Sequence, residues 1–238
     1  MVPAIQISPP DLFHLKPHHN DVLLLTMNDA ELTRLSKLLI EWGHRLWQQG
    51  MLPGGDGNIS VKIDAERILI TPSGMSKGFL KDDDLIVVDF SSNVLQGKNK
   101  PSSEISLHIL AYQYRPDINA VVHAHPPYAT AFACSKIELP QSLLPESIVK
   151  LGEVPKTFFA LPSTMQTAVV AEPFVLRYNA FLLKNHGAVT LGKNLEEACL
   201  RMETLEHLAK VAWLSKLLGE ITELPEWAVK KLREIGLE

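Results

Sequence analysis

Segments with the pattern of short strands and segments with the pattern of helices are intermixed along this chain, without strict βαβ alternation. This order favours one α/β domain with a mixed or antiparallel central sheet flanked by helices, rather than a doubly wound dinucleotide-binding fold. Apolar runs bounded by turn residues predict strands at 59–63, 67–70, 85–90, 119–125, 180–183 and 188–191. Helical periodicity and start signals predict helices at 28–46, from 105, from 126–127, at 165–177, from 194 and within 221–238.

The first 27 residues differ from the rest of the chain because they are broken by four prolines and show no clear periodicity. They also carry three histidines, namely His14, His18 and His19. We expect an extended or partly ordered arm with solvent-exposed histidines. Asn28, with Glu31 three positions later, has the pattern of a helix N-cap, which predicts that the folded domain spans residues 28–238.

Composition excludes several classes of protein. The chain has 238 residues, 46% of them hydrophobic, so it can bury a large core without disulfides or a structural metal. Its net charge of −4 shows no basic excess of the kind that nucleic-acid binding requires. No apolar stretch approaches the roughly 18–20 residues of a membrane span, and no signal-peptide pattern is present. With only two cysteines, Cys134 and Cys199, we expect a soluble cytoplasmic protein that acts on a small molecule.

Three histidines follow apolar runs in positions that suit a metal. His123 and His125 close the run from Ala120 and, being two apart on a strand, point to the same side. His186 directly follows another apolar run. Three histidines with an open fourth position are typical of catalytic zinc, whereas the alternative is packed histidines bonded to backbone; we favour the metal. The helical histidines are expected to be structural: His44, His108 and His207.

A second group of residues has the character of an anion site. Small donors stand in loops or at helix starts, although each pair alone is ordinary turn or cap chemistry: Gly57-Asn58, Ser73-Gly74 and Ser102-Ser103. The sequence contains no GxxxxGK[ST], GxGxxG or GxSxG motif, which argues against nucleotide loops and serine hydrolysis. Glu104, next to the serine pair, is either a carboxylate favoured by the helix dipole or a general base, and its position alone leaves both open.

Taken together, these segments resemble the class II aldolase/adducin family, and most closely its L-fuculose-1-phosphate aldolase branch. The matching stretches run in the family's order from about residue 28 to 219: GDGNIS, ITPSG, KPSSE, VVHAHPPYATA, LPES–LGEVP, KNHGAVTLGKNLEEA and RMETLEHLA. The resemblance implies a helix-flanked sheet and fourfold homotetramers with active sites between subunits.

The resemblance also implies roles for individual residues. One zinc ion per subunit would be held by His123, His125 and His186, with Glu104 as general acid/base and as a further metal ligand before substrate arrives. The substrate phosphate would rest on Gly57, Asn58, Ser73, Gly74, Ser102 and Ser103. The implied reaction is cleavage of a ketose 1-phosphate, L-fuculose 1-phosphate or a similar sugar, to dihydroxyacetone phosphate and an aldehyde through a metal-stabilised enediolate.

Alternatives within the same family are a pentulose-phosphate dehydratase, like methylthioribulose-1-phosphate dehydratase, a 4-epimerase and a non-catalytic adducin-like scaffold. Glu104 favours an aldolase over an epimerase, and Ser103 favours it over the dehydratase. The sequence departs from the branch where tyrosines near the aldehyde are expected, because the loop reads Phe158-Phe159 and no tyrosine follows Tyr178. The donor of the proton to the aldehyde oxygen is therefore unassigned.

Overall fold

A seven-stranded sheet forms the centre of the molecule in the computed structural model, which describes residues 21–236 and, from residue 30 onward, their side chains. The strands are β1 Asn58–Lys62, β2 Arg67–Ile70, β3 Ile86–Asp89, β4 Val94–Gln96, β5 Ala120–Ala124, β6 Ala180–Leu183 and β7 Gly187–Gly192. Their order is β4-β3-β2-β1-β5-β7-β6, and every neighbouring pair is antiparallel. The predicted fold class, a single domain with a helix-flanked antiparallel sheet, is confirmed.

Seven α-helices accompany the sheet within the described residues. They are α1 Asp21–Gln48, α2 Ile105–Tyr114, α3 Pro127–Cys134, α4 Pro145–Leu151, α5 Met165–Val175, α6 Leu195–Leu218 and α7 Glu226–Ile235. The start signals of α3 and α6 were interpreted correctly: Pro127 is the first residue of α3, and the Asn194 side chain accepts a hydrogen bond from the Glu197 amide at 2.8 Å. None of these helices combines the length and apolar character that crossing a membrane requires.

The largest difference from the sequence predictions lies at the start of the first helix. Helix α1 begins at Asp21, so Asn28 lies inside a helix and the assignment of it as an N-cap is wrong. Residues 21–27, predicted to belong to the arm, are part of this helix. A cap pattern is a local signal, and it does not reveal that the preceding residues are themselves compatible with a helix. The rest of the predicted arm, including His14, His18 and His19, lies outside the described residues.

The sheet is buried on both faces by helices. In β2, Leu69 faces one hydrophobic core while Ile68 and Ile70 face the other, as the two-residue period of a strand requires. The first core includes buried side chains of α1, α3 and α6, and the second those of α2 and α5. The result is a three-layer arrangement in which β1, β5 and β7 are interior strands.

One buried carboxylate fixes the segment that follows the paired histidines. Glu206 of α6 accepts hydrogen bonds from the backbone amides of Tyr128 and Ala129, at 3.0 and 2.9 Å. These amides belong to the first turn of α3, where the chain has no intrahelical acceptors, so Glu206 satisfies two free donors. Because α3 begins two residues after His125, the bond also anchors the end of β5 to α6.

Candidate active site

Three imidazoles converge where β5 and β7 meet. His123 is in β5, His125 directly follows that strand, and His186 lies in the turn between β6 and β7. The Nε2 atoms of His123 and His125 are 3.2 Å apart, and one nitrogen from each of the three rings lies within 4.8 Å of the others. The structure therefore brings together the three histidines that the sequence singled out.

Close packing of the backbone makes this convergence possible. Gly187, next to His186, lies so near the end of β5 that an added Cβ would be 2.5 Å from the Ala124 carbonyl oxygen and 2.6 Å from His125 Cδ2. Gly57 has a φ of +70°, and a Cβ there would meet the Leu52 side chain and the His123 carbonyl oxygen at 2.8 Å. Both positions require glycine because a side chain would push the histidine-bearing strand away.

The orientation and charge of the rings suit metal binding. His123 Nδ1 donates a hydrogen bond to the Ala188 carbonyl at 3.0 Å, which directs its Nε2 toward the cluster. The Asp56 carboxylate lies 3.9 Å behind His125 Nδ1. Burial, with the nearby His123, lowers the pKa of His125 to about 3 and that of His186 to about 4. Neutral imidazole is the form that coordinates a metal.

Glu104 completes the cluster. It immediately precedes α2 without its side chain capping that helix, and the carboxylate points at the histidines instead. Its Oε2 lies 3.2 Å from His123 Nε2 and accepts a hydrogen bond from Asn58 Nδ2 at 3.0 Å. Its Oε1 is buried, 3.7 Å from His186 Nε2, and has no hydrogen-bond partner.

The carboxylate is ionised despite its burial. Burial raises the pKa of Glu104, but the neighbouring His123 and His186 and the hydrogen bonds from His123 and Asn58 together hold that pKa well below the usual range. A buried, unpartnered carboxylate oxygen 3.7 Å from an imidazole nitrogen of the cluster is costly in isolation, and a divalent cation would satisfy it. Nitrogen and oxygen donors of this kind fit zinc.

A cavity of about 500 Å³ opens beside this cluster. Its lining contains all six residues of the predicted anion site: Gly57, Asn58, Ser73, Gly74, Ser102 and Ser103. Glu104, His125 and His186 line the same cavity. Three of the six residues already have side-chain hydrogen bonds, since Ser102 Oγ accepts from the Glu104 amide, Asn58 donates to Glu104 and Ser103 Oγ bonds to another serine hydroxyl of the cavity.

Sequence reasoning missed three cavity residues. Lys77 is the only lysine or arginine among the described residues that line the cavity, yet it is 1% exposed and donates to the Gly55 carbonyl at 2.6 Å. Burial lowers its pKa to about 8, against the attraction of Asp56 and Glu104. Ser163 bonds to Ser103, Oγ to Oγ, at 2.8 Å. Asp56 belongs to the GDGNIS stretch that carries the family resemblance. Nothing in the sequence distinguished Lys77, since lysines are ordinarily exposed.

The expected tyrosines are absent from this cavity as far as the described residues define it. Phe158 and Phe159, which stand where the branch has tyrosine, are 80% and 56% exposed in the loop before Ser163. The described residues that line the cavity therefore offer no tyrosine hydroxyl as the proton donor to the aldehyde oxygen.

Comparison with known proteins shows the family to which the chain belongs. Residues 37–213 match the Class II Aldolase and Adducin N-terminal domain, and the chain belongs to this family. An L-fuculose phosphate aldolase of Methanococcus maripaludis is 36% identical over 74% of this chain and 94% of its own length. A 3-oxo-tetronate 4-phosphate decarboxylase of Haemophilus influenzae is 34% identical over 84% of this chain and 96% of its own. A solved L-fuculose 1-phosphate aldolase superposes with a TM-score of 0.78 at 35% identity, covering 84% of this chain and 95% of that one.

Proposed function

We propose that the protein is a zinc-dependent class II aldolase that cleaves a ketose 1-phosphate, L-fuculose 1-phosphate or a similar sugar, to dihydroxyacetone phosphate and an aldehyde. The observation that carries the proposal is the buried Glu104 carboxylate, whose unpartnered oxygen lies 3.7 Å from His186 at the cluster of three imidazoles, beside a cavity lined by hydrogen-bond donors. The two free cysteines fit a cytoplasmic location. We further propose a homotetramer with sites at subunit interfaces, in which the exposed Phe158 and Phe159, in the loop before the cavity residue Ser163, would be covered.

In this proposal the cluster has a divided role. His123, His125 and His186 hold one zinc ion per subunit, and Glu104 is a further ligand until substrate arrives. Bound zinc supplies Lewis-acid polarisation of the sugar's carbonyl and neighbouring hydroxyl oxygens. Glu104 then transfers the proton at C1 of dihydroxyacetone phosphate, the hydroxymethyl carbon that was C3 of the ketose. Its unpartnered Oε1 is available for this transfer.

The phosphate is bound at the other end of the cavity. The backbone amides of Gly57 and Gly74 and the hydroxyls of Ser73, Ser102 and Ser103 supply neutral donors around it, since the Ser73 amide already donates to a backbone carbonyl. Lys77 adds the positive charge that these residues lack. We therefore include Lys77 in the proposed phosphate site.

Replacing Lys77 with Met should weaken binding of the phosphorylated substrate. A charge-assisted hydrogen bond contributes about 1.5–3 kcal/mol, so we expect KM to rise by about 10–100-fold with a smaller effect on kcat. Steady-state kinetics with the zinc-loaded protein measure this, and Lys98→Met, at an exposed position, is the matched control. An unchanged KM in a folded Lys77→Met protein would remove Lys77 from the phosphate site.

A second candidate reaction is decarboxylation of 3-oxo-tetronate 4-phosphate, favoured by the Haemophilus influenzae relative, whose match covers more of this chain than that of the aldolase. The chemistry is closely related. Loss of CO₂ from this keto acid leaves its electron pair on the carbon next to the ketone, and one proton there gives dihydroxyacetone phosphate. Glu104 would deliver that proton, so one site suits either leaving group.

The deciding experiment supplies both substrates separately to zinc-loaded protein, with and without EDTA. Aldolase activity releases dihydroxyacetone phosphate and aldehyde from L-fuculose 1-phosphate, whereas the decarboxylase releases dihydroxyacetone phosphate and CO₂ from the keto acid. We expect EDTA-sensitive cleavage of the ketose phosphate. Release from neither substrate by folded, zinc-containing protein would contradict the proposal and direct attention to the dehydratase and epimerase reactions.

A further inference from the structure

A chain of buried hydrogen bonds extends from Glu104 into the protein, away from the cavity. Asn58 Nδ2 donates to Glu104 Oε2 at 3.0 Å, and Asn58 Oδ1 lies 2.5 Å from His108 Nε2. His108 Nδ1 is 2.6 Å from Ser60 Oγ, which is 2.7 Å from the hydroxyl of Tyr112. All five side chains are buried, and His108 is fully so.

Two regular elements bring these residues together. Asn58 and Ser60 are two apart on β1 and so share one face of the sheet. Glu104, His108 and Tyr112 are spaced by four along the start and body of α2 and lie on one side of it. Helix α2 thus supplies every second member of the chain, and β1 supplies those between.

The orientation of the Asn58 amide, whose nitrogen donates to Glu104, gives this hydrogen-bond chain a single direction. A carboxylate only accepts hydrogen bonds, so the amide nitrogen of Asn58 must face Glu104 and its oxygen must face His108. His108 therefore carries its proton on Nε2, and Nδ1 accepts from the Ser60 hydroxyl, which in turn accepts from Tyr112. If the Asn58 amide were flipped, its oxygen would lie about 3 Å from a carboxylate oxygen of Glu104 with no proton between them, which is unfavourable.

Burial fixes the protonation states of His108 and Tyr112 in this hydrogen-bond chain. Complete burial lowers the pKa of His108 to about 3, so the ring is neutral at physiological pH. Burial likewise raises the pKa of Tyr112 well above its usual range, so its hydroxyl keeps its proton. Each member thus has a fixed protonation state and a fixed partner on either side.

We propose that His108 is a positioning residue that acts through Asn58 to fix the rotation of the Glu104 carboxylate. The chain occupies Oε2, so that Oε1 is the oxygen left free toward His186 and the cavity. This role rests on the proposed function of Glu104 as acid/base and metal ligand. Without His108, the Asn58 amide is free to turn and the carboxylate loses its defined orientation.

The kinetic test compares His108→Leu with His108→Gln, since a Gln amide nitrogen reaches the place of Nε2 and donates to Asn58. We expect His108→Leu to lower kcat and zinc affinity by about 10–100-fold, the usual effect of removing a partner that orients a metal ligand, with KM unchanged. His108→Gln should restore most of both. His207→Leu, at an exposed position of α6, is the control. Wild-type kcat and zinc affinity in His108→Leu would overturn the proposal.

A double-mutant cycle separates action through Asn58 from an independent contribution to packing. If His108 acts in series with Asn58, the loss in zinc affinity on His108→Leu should nearly vanish in an Asn58→Ala background. Additive losses would overturn the proposal. If His108→Leu does not fold, His108→Asn replaces it, because its amide is too short to reach Asn58.

A spectroscopic readout is independent of any activity. Nitrogen NMR of the imidazoles in the metal-free protein should show His108 as the neutral Nε2–H tautomer down to about pH 5, with a slowly exchanging proton. An Nδ1–H tautomer or a charged ring would overturn the proposal. If the wild-type protein proves inactive toward both sugar phosphates, the proposed function fails, whereas the tautomer and the zinc-affinity cycle still decide the role of His108.

Discussion

Zinc and turnover should be lost together when His186 is replaced by alanine. This residue supplies one of three imidazole nitrogens that lie within 4.8 Å of one another, and the turn between β6 and β7 offers no substitute donor. Loss of a ligand should cost more than the roughly 10–100-fold in affinity that loss of a ligand's outer partner costs. We therefore expect no stoichiometric zinc after dialysis and no measurable product formation.

Metal analysis of the dialysed protein measures this loss, with His207→Ala as a matched variant at an exposed position of α6. The thermal unfolding midpoint of each variant shows whether the fold is intact. A His186→Ala protein that keeps tightly bound, stoichiometric zinc would show that the third ligand lies elsewhere. Wild-type protein prepared without chelator and found to lack zinc would instead favour the non-catalytic, adducin-like alternative.

The fold was predictable where burial imposes a period on the sequence. The interior strands β1, β2 and β5 carry buried apolar residues on one or both faces, and His123 and His125 stand at the end of β5. Strand β4 was missed because all three of its residues are exposed, so no apolar face marks it. Helix α4 was missed because its seven residues are too few to show a helical period.

The site was predictable only where its residues cluster along the chain. The His123–His125 pair and the serine pair before Glu104 are local motifs, and their geometry follows from a strand end and a helix start. His108 gave no such signal, because its partner Asn58 lies 50 residues away and only the pairing of β1 with the face of α2 brings them together. Lys77 gave no signal either, since it is enclosed by residues distant in the chain, among them Gly43 of α1 and the Gly55 carbonyl to which it donates.

Replacing Glu104 with Gln should nearly abolish exchange of the C1 proton of dihydroxyacetone phosphate while zinc stays bound. The three histidines remain to hold the metal, whereas the amide of the new Gln side chain cannot take up a proton near neutral pH. General acid–base groups contribute about 10²–10⁴-fold to rate, and we expect a loss in this range. Incorporation of solvent deuterium into dihydroxyacetone phosphate, followed by NMR, measures exchange, and metal analysis of the same sample measures zinc.

The contacts of Glu104 determine how the new Gln side chain must be oriented. Asn58 donates to Oε2, so the new amide must present its oxygen to Asn58 and its nitrogen to the cavity, where a donor replaces the unpartnered acceptor. Glu203→Gln, which alters a carboxylate paired with Arg45 outside the cavity, should leave exchange unchanged. Undiminished exchange in a zinc-containing Glu104→Gln protein would remove Glu104 from the proton transfer. If exchange is lost and recovers when excess zinc is added, Glu104 acts as a metal ligand rather than as the base.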